Sequence, residues 1–546
     1  MMGMLFISFL SVGLIFCTCI CIRYPLFIAM FFVEKLRKNG NGYPPAVGTL
    51  IDEIRHYNRL YDYHTELSSK LKTYRILYPL FSNIYTSDPT NIEHILKSKF
   101  STYPKGEESY QILKDFLGDG IFNVDGDPWR YQRKLASYEF SRRAVMDFSS
   151  SVFRSKAAEL AQHLSVVAST HMAIDMQNNS HFVFSAGNTS TNDLQDLLMR
   201  TTLETMFIIG FGVEPSGLIG STEKWQAFAG AFNDANAFVT KRYADVMWKL
   251  KRFLNIGSEA ALKKHVKLID DLVFKLILHK REHQGSPIND YLKNSFSFMV
   301  VASQLDSEGK KDDILSRFLA ASEKDPERIT DRFLRDTILS FMLAGRDTTS
   351  VTLSWFLYMI CKHPSVERKI LKEINDAVSN EDGSIENFSE SLNNTALNRM
   401  HYLHAALAET LRLYPAVPLD GKECTEDGTL PDGFKVRKGD IVNYPIYAMG
   451  RMTYLWGNNA DLFQPERWIE DGIFRPESPF KFTAFQAGPR ICLGKEFAYQ
   501  QMKIIAATLL YFYKFKLEDE QQEVRYRTML TLHIDQGLSL HVFPRK

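Results

Sequence analysis

The chain has 546 residues and a formal net charge of +1, so its charge balance gives no reason to expect a nucleic-acid partner. With 45% hydrophobic and 24% charged residues it has the composition of a globular protein, which excludes a disordered chain. Six cysteines could build a disulfide framework, but Cys17, Cys19 and Cys21 lie in an N-terminal apolar run, and Cys361, Cys424 and Cys492 are scattered as in a reducing compartment.

From Met1 to Ile22 no side chain is charged. A helix of about 20 apolar residues spans a bilayer core, so residues 1–33 are expected to form a membrane anchor. Lys35, Arg37 and Lys38 follow the run and no Lys or Arg precedes it, which puts the N-terminus in the lumen and the body in the cytosol. A cleaved signal peptide would want a basic start and a small-residue cleavage site, and the run has neither. Residues 34–48 read as a basic flank and a hinge, ending in Asn39-Gly-Asn-Gly-Tyr-Pro-Pro-Ala-Val-Gly48. One large domain is expected over residues 49–546. Within it the polar stretches Asn178 to Asn192 and Ser379 to Asn394 read as surface loops. Helical patterns dominate from Asn91 to Asp376. Short extended segments fall near Leu71 to Thr86, Gly433 to Tyr444 and Arg525 to Val542.

Trp129 and Arg133 lie one above the other on a helix, a spacing that serves ordinary packing or offers an N–H and a guanidinium to an anion. A long helical pattern then runs from Thr330, an N-cap, to Cys361 and stops before Pro364. Gly345 in its middle costs about 1 kcal/mol of helix propensity relative to Ala, which asks for a packing or functional reason. Asp347 and Thr348 follow, with Thr349 and Ser350 adding hydroxyls. They make either a polar patch or an opened turn that passes protons to a bound oxidant. Glu409 and Arg412, three apart on a helix closed by Pro415, read by themselves as one ion pair.

The segment Phe485-Gln-Ala-Gly-Pro-Arg-Ile-Cys-Leu-Gly494 says most. Beyond it, Ala498, Met502, Ile505, Leu509 and Phe512 mark one buried helix face. Cys492 therefore stands at a helix N-terminus, where the dipole and free N–H groups favour a thiolate. Gly488 and Gly494 let backbone pass close to a flat ligand. Such a thiolate suits a heme iron as proximal ligand. A lone intracellular cysteine is otherwise buried and inert, and the Phe, Gly, Arg and Gly around this one weigh against that. Gly488 to Gly494-Lys495 has the wrong spacing for a phosphate loop. No His-Glu-x-x-His or Gly-x-Ser-x-Gly occurs, so kinase and hydrolase readings lack support.

Phe-x-x-Gly-x-Arg-x-Cys-x-Gly over 485–494 resembles the heme-binding signature of the cytochrome P450 superfamily at every defined position. The resemblance spans essentially everything after the hinge. It implies a mainly α fold with small β-sheets, here preceded by the N-terminal transmembrane helix. It implies heme b with Cys492 on the iron, Phe485 and Gly494 in the cysteine loop, and Trp129, Arg133 and Arg490 on the propionates. Counting seven residues past Pro415 adds Lys422, whose ammonium can neutralise a propionate but lacks the planar fork of Arg. Ala344-Gly-Arg-Asp-Thr-Thr349 resembles the oxygen-activation motif, which makes Thr348 the alcohol and Asp347 the acid. Glu409 and Arg412 would pair with Arg467, in Pro465-Glu-Arg-Trp468, to brace the heme-binding core.

Ala344 to Thr349 with Arg346, Trp248 to Glu259 and Phe485 to Arg490 look like the plant fatty-acid hydroxylase branch, the 86 clan. Phe232-Asn-Asp-Ala-Asn-Ala237 and Lys495-Glu-Phe-Ala-Tyr499 most resemble family 704. That resemblance implies hydroxylation of long-chain fatty acids at or near the ω end, for cutin, suberin or pollen-wall polymers. O2 and electrons from NADPH, through NADPH-cytochrome P450 reductase, would drive it at the endoplasmic reticulum membrane, with membrane lipid as a further partner. Arg130, Lys134, Lys495 and Lys503 could meet an acidic reductase surface or simply be solvated. Phe116, Ile121, Phe122, Val124, Phe341, Ala344, Val417, Leu419, Met529 and Leu530 would line an apolar pocket for an alkyl chain, and read equally well as core. Other readings stay open: a heme-thiolate enzyme acting on an alkane or oxylipin, a hydroperoxide isomerase or dehydratase that needs no O2, and a non-catalytic heme sensor.

Overall fold

Apolar residues recur at helical spacing through most of the chain and alternate only briefly, and the structure divides accordingly. The computed structural model describes residues 28–36, 42–78, 81–140, 143–169, 194–215, 222–243, 245, 247–282, 313–378, 383–521 and 523–545. In chain order the main elements are β1 (Ala46–Thr49), α1 (Leu60–Lys70), β2 (Thr73–Leu77), β3 (Ser82–Thr86), α2 (Glu107–Leu117), α3 (Gly126–Phe140) and α4 (Arg143–Ser169). Next come α5 (Leu194–Phe211), α6 (Thr222–Lys241), α7 (Trp248–Leu254), α8 (Ser258–Glu282), α9 (Asp331–Lys362), α10 (Pro364–Ala377) and α11 (His401–Leu413). The chain closes with β4 (Asp420–Glu423), β5 (Ile441–Tyr444), α12 (Lys495–Phe512), β6 (Tyr513–Leu517) and β7 (Leu540–Pro544). Short helical turns and two-residue strand pairs connect them. The fold is mainly α with minor β-sheet.

The larger sheet has the order β1-β2-β3-β5-β4, parallel at β1/β2 and β3/β5 and antiparallel at the other two pairings. β2 and β3 are buried along their whole length, so both faces of that part of the sheet are covered. β6 and β7 pair antiparallel, and β6 alternates buried with exposed side chains.

α9 organises the helical layer. Thr330 caps it by accepting the Phe333 N–H at 3.2 Å, and Pro364 opens the next helix just beyond its end. Gly345 has a packing reason: a Cβ there would overlap the Met206 sulfur, so α5 crosses α9 where one side chain is missing. The opened turn expected around Asp347 and Thr348 is not there. α9 is continuous, because the Thr348 Oγ1 donates to the Ala344 carbonyl at 2.6 Å without breaking the helical ladder.

The expected membrane anchor is corrected. No helix among the described residues is long and apolar enough to cross a membrane. Residues 1–27 of that span lie outside the described residues. The last residues of that span lie in the helix over 28–36, where Phe32 and Val33 are exposed, and Glu34, the first residue past it, is buried and accepts from the Ser82 hydroxyl of β3 at 3.0 Å. The transmembrane element of the fold, the single-pass endoplasmic reticulum topology, the membrane-bound state and lipid as a partner all rested on that span and are not supported. The loop expected at 178–192 also lies outside the described residues. Over 379–394 a short helix, Ile385–Ser391, interrupts the expected loop, because Ser384 caps it by accepting the Asn387 N–H at 3.2 Å.

Gly345→Ala should destabilise the protein by about 1–2 kcal/mol in chemical denaturation, since overpacking against α5 outweighs the gain in helix propensity. In a Met206→Ala background the same change should become neutral or stabilising. A loss of equal size in both backgrounds would show that α5 is not the cause.

Candidate active site

Between Leu334 and Ile360 every residue of α9 is buried except Leu343, Ala344, Gly345 and Thr348, and Ala344 and Thr348 stand one turn apart on the same face. The cysteine loop shows a matching anomaly. Cys492 is exposed, yet desolvation pushes its thiol pKa up, against the pull of the Gly494 N–H, Arg133 and Lys495. The sulfur is thus reachable from solvent while closely surrounded by protein.

Local backbone chemistry sets the loop. Gln486 and Gly488 take left-handed φ values of 61° and 63°, and a Cβ on Gly488 would overlap the Leu96 carbonyl oxygen, so only glycine fits there. The Cys492 N–H donates to the Phe485 carbonyl at 2.8 Å, and Gly494 caps α12. A Cβ on Gly494 would meet nothing within 4 Å, so that flank of the loop is open. The Phe485 ring packs against Tyr499 of α12 at 5.1 Å between centroids.

α3 carries Trp129 and Arg133. Trp129 is buried, with the Arg490 guanidinium 4.4 Å from its ring centroid. Arg490 donates to the Val124 carbonyl at 3.0 Å and to Asp125 at 2.5 Å. Burial lowers the Arg490 pKa and Asp125 opposes the shift. Arg133 is also lowered by burial, with Cys492 raising it and Arg490 lowering it, so it lies within electrostatic reach of both. Among the described residues it has no carboxylate partner. Lys422, buried on β4, donates to Asp420 at 2.8 Å, to the Tyr444 hydroxyl at 3.0 Å and to the Gly421 carbonyl at 3.1 Å. Burial lowers its pKa to about 7 despite Asp420. Lys105, 3.4 Å from Asp420, joins that cluster unforeseen.

The buried Glu409 takes the Arg412 fork at 2.7 and 2.8 Å and Arg467 at 3.4 Å. Two further donors escaped the sequence reading: the Gln464 N–H at 2.8 Å and the Trp468 indole at 2.9 Å. Asp347 is buried and accepts from Asn236 of α6 at 2.6 Å, another partner that periodicity alone did not point to. His533, buried with its pKa lowered by desolvation while Asp347 opposes, completes that surrounding.

The pocket candidates divide. Phe116 packs edge-on against Phe232 of α6, Phe341 against Phe140 of α3, and Ile121 and Val124 cluster with Trp129. Phe122 is exposed, and Ala344, Val417, Leu419, Met529 and Leu530 are half-buried. The segments 416–419 and 529–533 abut through the Leu532 N–H to Ala416 carbonyl bond at 3.0 Å. Of the basic side chains expected on one surface, Lys503 is buried and donates to the Leu397 carbonyl at 2.9 Å, while Arg130 pairs with Asp127 at 2.7 Å.

A solvent-reachable but desolvated thiol, a guanidinium without a carboxylate partner beside it and an unburied patch on α9 fit a thiolate-ligated heme. The sequence model of the cytochrome P450 family matches residues 42–540. Cytochrome P450 704C1 of Pinus taeda is 48% identical over 527 residues, covering 94% of this chain and 94% of its own. Cytochrome P450 704B1 of Arabidopsis thaliana is 41% identical over 531 residues, 93% of this chain and 95% of its own. Cytochrome P450 86B1 of Arabidopsis thaliana is 39% identical over 485 residues, 87% and 80% of the two chains. The chain belongs to the cytochrome P450 family and is an enzyme of the P450 monooxygenase class.

Trp468→Phe keeps an aromatic ring but leaves one acceptor of a buried carboxylate unfilled. It should cost about 2 kcal/mol of stability in urea unfolding and lower heme retention on dilution. Stability equal to the parent would mean that the indole bond to Glu409 contributes nothing.

Proposed function

We propose that this protein hydroxylates long-chain fatty acids at or near the ω end, using O2 and electrons delivered from NADPH by NADPH-cytochrome P450 reductase. One observation carries the chemistry: the desolvated Cys492 and the unburied Ala344–Thr348 face of α9. Heme, when bound, supplies activation of O2 and insertion of one oxygen atom into a C–H bond. Cys492 would hold the iron, and the Gly494 N–H, Arg133 and Lys495 counter the thiolate charge. Arg133, with Trp129 and Arg490, would take the propionates. The Thr348 hydroxyl stands at the unburied face and would pass a proton supplied through Asp347.

The substrate class rests on the resemblance to the 704 and 86 families and on apolar side chains left half-buried or exposed, Phe122, Val417, Leu419, Met529 and Leu530. With Arg130 paired to Asp127 and Lys503 buried, Lys134 and Lys495 remain to supply positive charge for a reductase on the cysteine-loop side.

Incubated with reductase, NADPH and a panel of saturated and unsaturated fatty acids, the protein should yield hydroxy acids located near the methyl end by mass spectrometry. No product with any fatty acid, but turnover of a hydroperoxide without reductase, would replace this reading by the isomerase one. Cys492→Ala should lose the red-shifted Soret band of the reduced CO complex, and a band retained in the variant would remove Cys492 from the iron. Thr348→Ala should still consume NADPH and O2 while releasing mostly hydrogen peroxide. Product coupled to NADPH as tightly as in the parent would remove Thr348 from the proton path.

A further inference from the structure

Asp347 does not stand free beside Thr348. Its Oδ2 accepts from Asn236 Nδ2 at 2.6 Å and its Oδ1 lies 3.1 Å from Arg346 Nη1, with only 1% of the residue exposed. Arg346 is held in turn: Nη2 donates to Asn233 Oδ1, the guanidinium lies 5.5 Å from the Phe232 ring centroid, and its carbonyl accepts from Thr202 of α5 at 3.1 Å. Phe232, Asn233 and Asn236 fall at i, i+1 and i+4 on α6, so they share one side of that helix. The string Phe232-Asn-Asp-Ala-Asn-Ala237 is therefore the receptor for the Arg346–Asp347 pair.

α6 is itself fixed from the other side. Phe232 packs edge-on against Phe116 of α2 at 5.2 Å. Arg242, one residue past the end of α6, is buried and donates to the Ile112 carbonyl at 2.7 Å, to Asp115 of α2 at 2.6 Å and to Glu259 of α8. One helix thus bonds both the acid beside Thr348 and the elements α2 and α8.

We propose that Asn236 is a positioning residue of the proton path: its amide holds the Asp347 carboxylate toward α6, so access of that carboxylate to Thr348 is set by α6 and not by α9 alone. Asn233 supports this by holding Arg346. The inference rests on reading Asp347 and Thr348 as the proton path. A short bond from an amide to a buried carboxylate is stronger than a bond between neutral groups.

The test compares Asn236→Leu, near in volume without the donor, with Asn236→Asp, equal in shape with the donor replaced, and with Asn236→Gln, which keeps the amide. Hydrogen peroxide, product and NADPH are measured together, with the solvent deuterium isotope effect on turnover, heme content and the substrate-induced Soret shift. Asn236→Leu and Asn236→Asp should raise the peroxide-to-product ratio by about tenfold, the shift that loss of one hydrogen bond to a charged group allows. The isotope effect should change while heme content and the Soret shift stay at parent values. Asn236→Gln should recover much of the coupling, and Asn236→Leu should add nothing in an Asp347→Asn background. In urea unfolding the effects of Asn236→Leu and Asp347→Asn should be non-additive, as for partners in one bond. Additive unfolding effects, or a parent-like peroxide ratio and isotope effect in both donor-less variants while Asp347→Asn departs from the parent, would overturn the role of Asn236 with the proton path intact. A parent-like Asp347→Asn would overturn the proton path, and this inference with it.

Discussion

Glu409 carries its charge where there is no exposure at all, and a carboxylate so placed is tolerable only if every lone pair is met inside the protein. The chain after α11 is laid out to meet it. Arg412 forks onto both oxygens, and the Gln464 N–H, the Trp468 indole and Arg467 come back to the same group from the segment just ahead of the cysteine loop. Arg412, equally buried, sends its remaining donors to the carbonyls of Gly450, Ala460 and Leu462. Removing one partner of such a pair typically costs about 3–5 kcal/mol, because the other charge is left uncompensated. The segment 450–468 is thus held by charge satisfaction more than by regular secondary structure, and the loop that presents Cys492 is entered from it.

A similar accounting explains the cations around the cysteine loop. Lys422 occupies the position where a longer, planar side chain could reach out, but a lysine on β4 has Asp420 two residues away on the same face of the strand. Its ammonium closes onto that carboxylate and Tyr444 instead. Arg490 is partly committed to Asp125 and to the Trp129 face. Among the described residues Arg133 then has capacity to spare, so α3 would supply positive charge to the proposed heme site.

What could be read in advance follows from what kind of signal each feature leaves. Caps and breakers are local, so Thr330 and Pro364 gave the limits of α9, and the Gly-rich cysteine loop announced its own geometry. Partner identity is not local. Trp468 looks like any aromatic, and only the fold shows its indole aimed at Glu409. Lys503 looks solvated because lysine usually is, yet α12 carries it into the core, where it satisfies the carbonyl of Leu397 in the short helix Asn394–Arg399. Phe116 and Phe341 are as apolar as Phe122. Burial against α6 and α3 separates them from it, and that depends on helix crossings no periodicity encodes. Glu34, the first residue past the N-terminal apolar run, likewise finds Ser82 only once the sheet exists.

The hydroxyls of α9 bear on how a continuous helix could serve the proposed proton path. Thr348, Ser350, Thr352 and Ser354 each donate to the carbonyl four residues back, at 2.6, 2.9, 2.7 and 2.8 Å. These bonds use the second lone pair of carbonyls already in the ladder, so the helix is not opened by them. Three of the four hydroxyls are on buried residues, and the Ser350 hydroxyl also reaches the Asp347 carbonyl at 3.2 Å. Of the four, Thr348 alone borders the unburied face, and in the proposed proton path its hydroxyl would turn from the Ala344 carbonyl toward an incoming partner. The cost is one neutral hydrogen bond, about 1 kcal/mol, small enough to be recovered by any charged or strongly basic acceptor that arrives there. A helix opened at this point would hold the same groups more loosely. In the proposed path the intact ladder would keep Thr348 fixed, and only its proton would move.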